Sequence, residues 1–193
     1  MKFQKNKKAA IEMSIGTIVV IVLSMTMLIL GLVLIRQIFT SGTDVVKMTN
    51  DQLVSEVGKL FSQDDKVVIY PQSRLVEVKQ GIPTGVGIGI KNLLGQTSGI
   101  SKFSYTVKVS DVDLYKKCKV EQDVVESWIT TGRAEEGIEV ASGDLSARKV
   151  LFAIPVGSPL CTIRFSVTVH SDQADQATSY ASDYFDITIK SAK

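Results

Sequence analysis

His170 is the only histidine in this 193-residue chain, and Cys118 and Cys161 are its only cysteines. Nucleophilic catalysis of the Ser–His–Asp or Cys–His kind needs an imidazole to take the nucleophile's proton, so such a site would have to be built on His170. His170 follows the alternating run Ile163-Phe165-Val167-Val169, a pattern that predicts an exposed residue at a strand edge. One histidine and two isolated cysteines also fall short of structural zinc, which takes four ligands in paired spacing.

Gly85, Gly87 and Gly89 in GVGIGI resemble part of a phosphate-cradling loop. A dinucleotide fingerprint needs its third glycine one residue later, at position 90, and a helix opening there, and Ile90-Lys91-Asn92 supplies neither. The three glycines instead share one strand face, a flat track along which a helix or Trp128 can approach the backbone. Asp111, Asp113, Asp172 and Asp175 supply the oxygens that calcium prefers, but lack the glycine and terminal glutamate of a twelve-residue EF-hand loop, so solvated loops are expected. Trp128, the only tryptophan, reads as a core residue, and no N-x-S/T sequon occurs. Neither an enzyme nor a cofactor site is expected.

Glu12 is the remaining carboxylate of interest, because a long uncharged run begins directly after it. Met13 to Ile35 contains no charged residue, and a helix over that run is roughly 35 Å long, enough to span a hydrocarbon core of about 30 Å. Lys2, Lys5, Lys7 and Lys8 precede it and only Arg36 closely follows, so the positive-inside rule keeps the N-terminus cytoplasmic and puts residues beyond about 40 outside. A secretory signal peptide would be shorter in its apolar region and would end on a small-residue cleavage site, which is absent before Thr40. Glu12 then lies at the cytoplasmic rim, where an unpaired carboxylate is costly and often functional; Lys8, one turn earlier, is an alternative partner within its own chain. Ala10, Thr17, Ser24 and Gly31 recur at spacing seven, a stripe of small residues that permits close helix–helix packing in lipid. On the outer side Cys118 and Cys161 can form a disulfide, and the Lys-Lys-Cys-Lys context of Cys118 favours an accessible sulfur over a buried thiol.

The basic leader Met1 to Lys8, followed by AAIEMSIGTIVVIVLSMTMLILGLVLI with one early carboxylate, resembles the class III signal peptides of archaeal type IV pilins and archaellins over about the first 40 residues. The resemblance implies cleavage by a prepilin peptidase within Lys7-Lys8-Ala9-Ala10, leaving Ala10 as the mature N-terminus and the helix in the mature subunit. It further implies that Glu12 pairs with the α-amino group of a neighbouring subunit during assembly by the pilus machinery. Many members have glycine before the cut and glutamate five residues into the mature chain; counting back from Glu12 puts Lys8 first and Lys7 in the glycine's place.

Beyond the helix, Thr40-Ser41-Gly42-Thr43 predicts a break, and Val46, Leu53, Val57, Leu60 and Phe61 predict an amphipathic helix to about Ser62. Thr49 followed by Gln52 is an alternative start for that helix. From Lys66 the period becomes two. Strands are predicted around Val68 and Tyr70, Leu75 and Val78, and Val86 to Ile90. Others are predicted at Phe103 to Val109, Val150 to Val156, Ile163 to Val169 and Phe185 to Ile189, with turns at Gly95, Gly99, Gly132, Gly137, Gly143 and Gly157. EQDVVESWI, from Glu121 to Ile129, fits a short helix or a strand.

The expected architecture is α+β: a long N-terminal transmembrane or spine helix followed by an all-β, immunoglobulin-like sandwich outside the cell. Its parts are a basic leader at 1–9, the transmembrane helix at 10–39, a hinge and helical extension at 40–62 and the sandwich at 63–193. A charge of +2 hides a balanced ectodomain, since without the four N-terminal lysines 18 bases face 20 acids, and no nucleic-acid partner is expected. The expected function is a non-enzymatic, membrane-anchored subunit of a surface filament, with lipid and copies of itself as partners. The alternative is a single-pass protein presenting an immunoglobulin-like binding domain.

Overall fold

The computed structural model describes residues 15–39, 41–95, 99–172 and 179–192 and divides into two compact units, Met1–Ile38 and Phe39–Lys193. Helix α1 (Ile15–Phe39) makes up the first. The second begins with α2 (Ser41–Lys47) and α3 (Asn50–Gly58), then β1 (Val67–Tyr70), β2 (Leu75–Lys79), β3 (Thr84–Lys91) and β4 (Ile100–Val109). It continues with α4 (Leu114–Cys118), α5 (Gln122–Ser127), β5 (Ile129–Thr131), β6 (Ala134–Ala141), β7 (Leu145–Phe152), β8 (Thr162–Ser171) and β9 (Ala181–Lys190).

The strands form an immunoglobulin-like sandwich. One sheet has the order β1-β3-β7-β5 and the other β2-β9-β8-β4-β6, so the chain changes sheet between β1 and β2 and β2 then runs parallel to β9. Alternation decides which residues face inward: Phe103, Tyr105 and Val107 on β4, and Ile163, Phe165, Val167 and Val169 on β8, are all buried while their neighbours are wetter. At the centre the rings of Phe165 and Phe185 stack at 5.5 Å, and Phe152 meets both edge-on at 5.3 and 5.9 Å. Trp128 is buried in the same core.

A second, smaller core lies on the outside of the four-stranded sheet, where Val45, Leu53 and Val57 of α2 and α3 pack with Val68 and Ala147. The glycine track makes this possible. A Cβ at Gly85 would come within 2.9 Å of Val45 Cγ1, one at Gly87 within 2.7 Å of Leu53 Cδ1, and one at Gly89 within 2.2 Å of Val57 Cγ1. The helices therefore lie against bare backbone, and it is α2 and α3 rather than Trp128 that use the track. Three apolar side chains almost wholly removed from water contribute about 1.5–3 kcal/mol each.

Several expectations need correction. Helix α2 already includes Ser41-Gly42-Thr43, Thr40 lies outside the described residues, and a break in the helical segment follows Lys47. There Thr49 Oγ1 accepts the Gln52 N–H at 3.3 Å while Gln52 Oε1 accepts the Thr49 N–H at 2.9 Å, a reciprocal cap that starts α3. The helical extension expected at 40–62 packs its apolar face on the sandwich, through Val45, Leu53 and Val57. Gly137 is no turn: it has φ +70° inside β6, where two residues, Glu136 and Gly137, bulge opposite Ser104. EQDVVESWI is both things in succession, since α5 ends at Ser127 and β5 begins at Ile129. Cys118 is buried rather than accessible, because α4 turns Leu114 and Cys118, four residues apart, inward and its lysines outward.

Replacing Gly89 by valine should weaken the fold by about 1–3 kcal/mol, as expected for an overpacked site whose neighbours cannot withdraw. Gly95→Ala, where an added Cβ meets nothing within 4 Å, should lie within the error of the wild type. Urea unfolding of the full chain in detergent measures both.

Candidate functional site: an apolar membrane-spanning helix

Helix α1 is apolar on every side. Its segment Gly16–Ile35 has 20 residues, a mean hydropathy of 3.1 and no part buried by the rest of the chain. Leucine, isoleucine, valine and methionine side chains around the whole circumference stay 47–75% exposed, so nothing in its own chain covers α1. At about 1.5 Å per residue these 20 residues extend roughly 30 Å, the thickness of a hydrocarbon core. Two of its hydroxyls are satisfied locally: Ser24 Oγ donates to the Val20 carbonyl at 2.7 Å and Thr26 Oγ1 to that of Leu23 at 2.8 Å. The helical backbone and these two hydroxyls thus need nothing from water, and the helix is fit to be a single membrane span.

Of the predicted stripe, Thr17, Ser24 and Gly31 lie on α1, and at spacing seven they drift only about 20° per heptad around it. A Cβ on Gly31 would meet nothing within 4 Å, so nothing in its own chain requires glycine there. Ala10 falls outside the described residues, as do the processing residues Lys7, Lys8 and Ala9, and Glu12.

Cys118 and Cys161 form a disulfide, with Cα atoms 5.7 Å apart, that ties α4 to the start of β8. His170 does not occupy a sheet edge. It is half-buried on β8, an interior strand, and lines an open groove of about 570 Å³ with Lys102, Ser104, Glu136 and Asp172. Among the described residues no hydroxyl or carboxylate hydrogen-bonds its ring, and no group of three His, Cys, Asp or Glu is placed to hold a metal. Asp111 is engaged by its own neighbours: its carboxylate accepts from Lys117 Nζ at 3.0 and 3.2 Å and from the Asp113 N–H at 3.2 Å. Asp172 lies at the end of β8, and Asp175 is outside the described residues.

The remaining ionic constellations are struts that alternation alone did not reveal. Arg164 and Asp186, opposite each other on β8 and β9, form two 2.8 Å hydrogen bonds while the guanidinium lies 4.3 Å above the Tyr184 ring. The Asp186 hydrogen bonds and charge hold the Arg164 proton even more firmly than usual. Asp183, paired with Arg74 at 3.0 Å, has its carboxyl raised by burial. The Tyr105 hydroxyl, buried without a hydrogen-bond partner, is pushed up to about 12 by burial and by the Glu135 charge, so it offers no base near neutrality.

Glu126 on α5 is the most buried carboxylate, at 5% exposure. Burial raises its pKa, but hydrogen bonds from Gln122 Nε2 at 2.9 Å and the Val109 N–H, together with the Arg133 and Lys108 charges, outweigh that and leave it below the carboxylate value of 4.5. A depressed pKa in the folded state adds stability above the unfolded value that disappears as pH falls through the folded one. Wild-type protein should therefore lose stability on acidification below about pH 4.5 more steeply than Glu126→Gln, as read from Tm against pH. Met25→Arg, near the middle of α1, should cost about 2.5–3.5 kcal/mol of insertion and lower the fraction that floats with vesicles.

No family model matches the chain, and no curated protein does. Among solved structures it is similar to the CARDB domain of a Pyrococcus furiosus protein in complex with di-metal ions, with 15% identity over 65% of this chain and 86% of that one and a TM-score of 0.33. The ASH/PapD-like domain of human CEP192 is 13% identical over 68% of this chain and 92% of that one, TM-score 0.33. The class 5 fimbriae chaperone CfaA is 11% identical over 64% and 54%, TM-score 0.28. Nothing about activity, ligand or partner follows from likenesses at this level.

Proposed function

We propose that this protein is a membrane-anchored structural subunit of an archaeal type IV pilus-like surface filament. In this reading the N-terminus is cytoplasmic, α1 holds the subunit in the bilayer before assembly, and the immunoglobulin-like domain faces outward. The peptidase cuts before Ala10, and α1 then leaves lipid to pack against other copies of itself. The observation that carries the reading is α1, apolar on all sides and uncovered by its own chain. Such a helix is stable only where lipid or equivalent helices surround it, and a filament exchanges the one for the other. The stripe of Thr17, Ser24 and Gly31 supports close approach between copies, and the basic leader with Glu12 supports processing and register.

A second reading has one observation in its favour. Lys7 stands where many pilins have glycine before the cut, which suits an uncleaved single-pass protein whose sandwich binds a partner or the cell envelope.

Electron microscopy of shed surface material, with the mature N-terminus determined by Edman sequencing, separates the two. Filaments built from chains beginning at Ala10 are the expected result; full-length chain recovered only in detergent extracts selects the single-pass protein. Glu12→Gln should abolish filaments and leave membrane insertion unchanged, and normal filaments from that variant remove the role assigned to Glu12.

A further inference from the structure

Cys118 and Cys161 are joined in one bond, yet the two sulfurs stand in different surroundings. Cys118 ends α4, a helix of five residues that buries only Leu114 and Cys118, and it is 2% exposed. Cys161 immediately precedes β8 and is partly buried against the core, its carbonyl accepting the Ile189 N–H at 2.9 Å. Disulfides form by exchange: a thiolate attacks a sulfur of another disulfide, passes through a mixed disulfide and needs open access to do so. Once α4 has docked, an incoming oxidant finds Cys118 closed off, so for this thiol to meet the oxidant it has to react before α4 packs.

Local charge decides which thiol attacks first. Within three residues of Cys118 stand Lys116, Lys117 and Lys119 against one acid, Glu121; within three of Cys161 stands Arg164 alone. In a chain not yet folded the three lysines stabilise the thiolate at Cys118, which is the attacking form. Folding withdraws that help as well as access. In the finished domain Lys117 Nζ pairs with Asp111 at 3.0 Å and Lys116 Nζ with Asp113 at 3.3 Å. Cys118 is therefore most reactive in the open chain and least reactive in the folded one.

We infer that the sandwich unit is the substrate of a disulfide-bearing thiol oxidant on the outer side of the membrane, with Cys118 the thiol that attacks it before α4 docks and Cys161 the thiol that closes the bond. The Cys118 thiolate attacks one sulfur of the oxidant's disulfide, and the other leaves as a thiolate. As β8 and β9 pair, the Cys161 thiolate attacks Cys118 Sγ and displaces the oxidant's first sulfur. Two electrons and the two thiol protons end on the oxidant, which departs as a dithiol. The inference rests on the domain facing outward, which the filament and the single-pass readings share, because thiols oxidise and stay oxidised on that side.

The test uses the full chain. In cells stopped with acid, the wild-type thiols should be closed to a polyethylene-glycol maleimide until reductant is added, and should then take two labels; two labels without reductant overturn the inference. The portion of Met25→Arg that fails to insert should take both labels without reductant, and a closed disulfide there puts the oxidant in the cytoplasm and overturns it too. For the order of attack, Cys161→Ser and Cys118→Ser are reduced, held in urea so that neither has to fold, and treated with glutathione disulfide as the probe. Cys118 should acquire glutathione several-fold faster than Cys161, an advantage that shrinks in about 1 M salt. Equal rates, or a faster Cys161, overturn the order. Filaments made of chains with free thiols sink this inference and leave the filament, whereas oxidised chain found only in detergent extracts leaves it standing and removes the filament.

Discussion

The packing of α2 and α3 onto the bare backbone of β3 is the contact on which the organisation of this protein depends. Glycine at 85, 87 and 89 removes one face of a strand, and Val45, Leu53 and Val57 occupy the space. The opposite face of the same strand carries Val86, Ile88 and Ile90, fully buried in the sandwich core. One eight-residue strand thus joins two hydrophobic cores, and the segment leaving α1 becomes a fixed part of the domain and not a free tether. Side chains at the glycine positions would push the helices away and expose both Leu53 and the outer surface of the sheet.

The two units meet opposite solvent requirements. The sandwich turns most of its apolar residues inward, and carboxylates such as Glu126 and Asp186 are engaged by arginines. Over Gly16–Ile35, helix α1 satisfies its backbone internally and presents a predominantly apolar surface, which suits hydrocarbon better than water. The functional reading rests on the surface of α1, apolar on every side.

Much of this was legible in the residues because the relevant signals are local. The uncharged run to Ile35 reads directly as α1, and strict alternation reads as β4, β8 and β9, each a long strand with one buried face. The spacing of the three glycines revealed the flat track but not its occupant, since a helix and an indole need the same clearance. Strand β6 was obscure because its sequence, AEEGIEVA, buries only Ile138 and Val140 and is interrupted by the Gly137 bulge. The low helix propensity of Ser41-Gly42-Thr43 is overridden, since these residues belong to α2; the reciprocal cap at Thr49 and Gln52 marks where α3 starts. Asp186 and Arg164 are 22 residues apart, and only the register of β8 and β9 makes them partners.

The parallel pairing of β2 with β9 bears on how the domain carries load. Strand β2 is the first element of its sheet and β9 the last strand of the chain, joined through the register Leu75↔Asp186 to Lys79↔Lys190. Because the strands run parallel, a force drawn on the residues before Leu75 and on those after Lys190 pulls the two strands along their length in opposite senses. Every rung of that ladder is then strained at once and none can open ahead of the others, so the fold resists being drawn out from its ends more strongly than a hairpin peeled apart bond by bond.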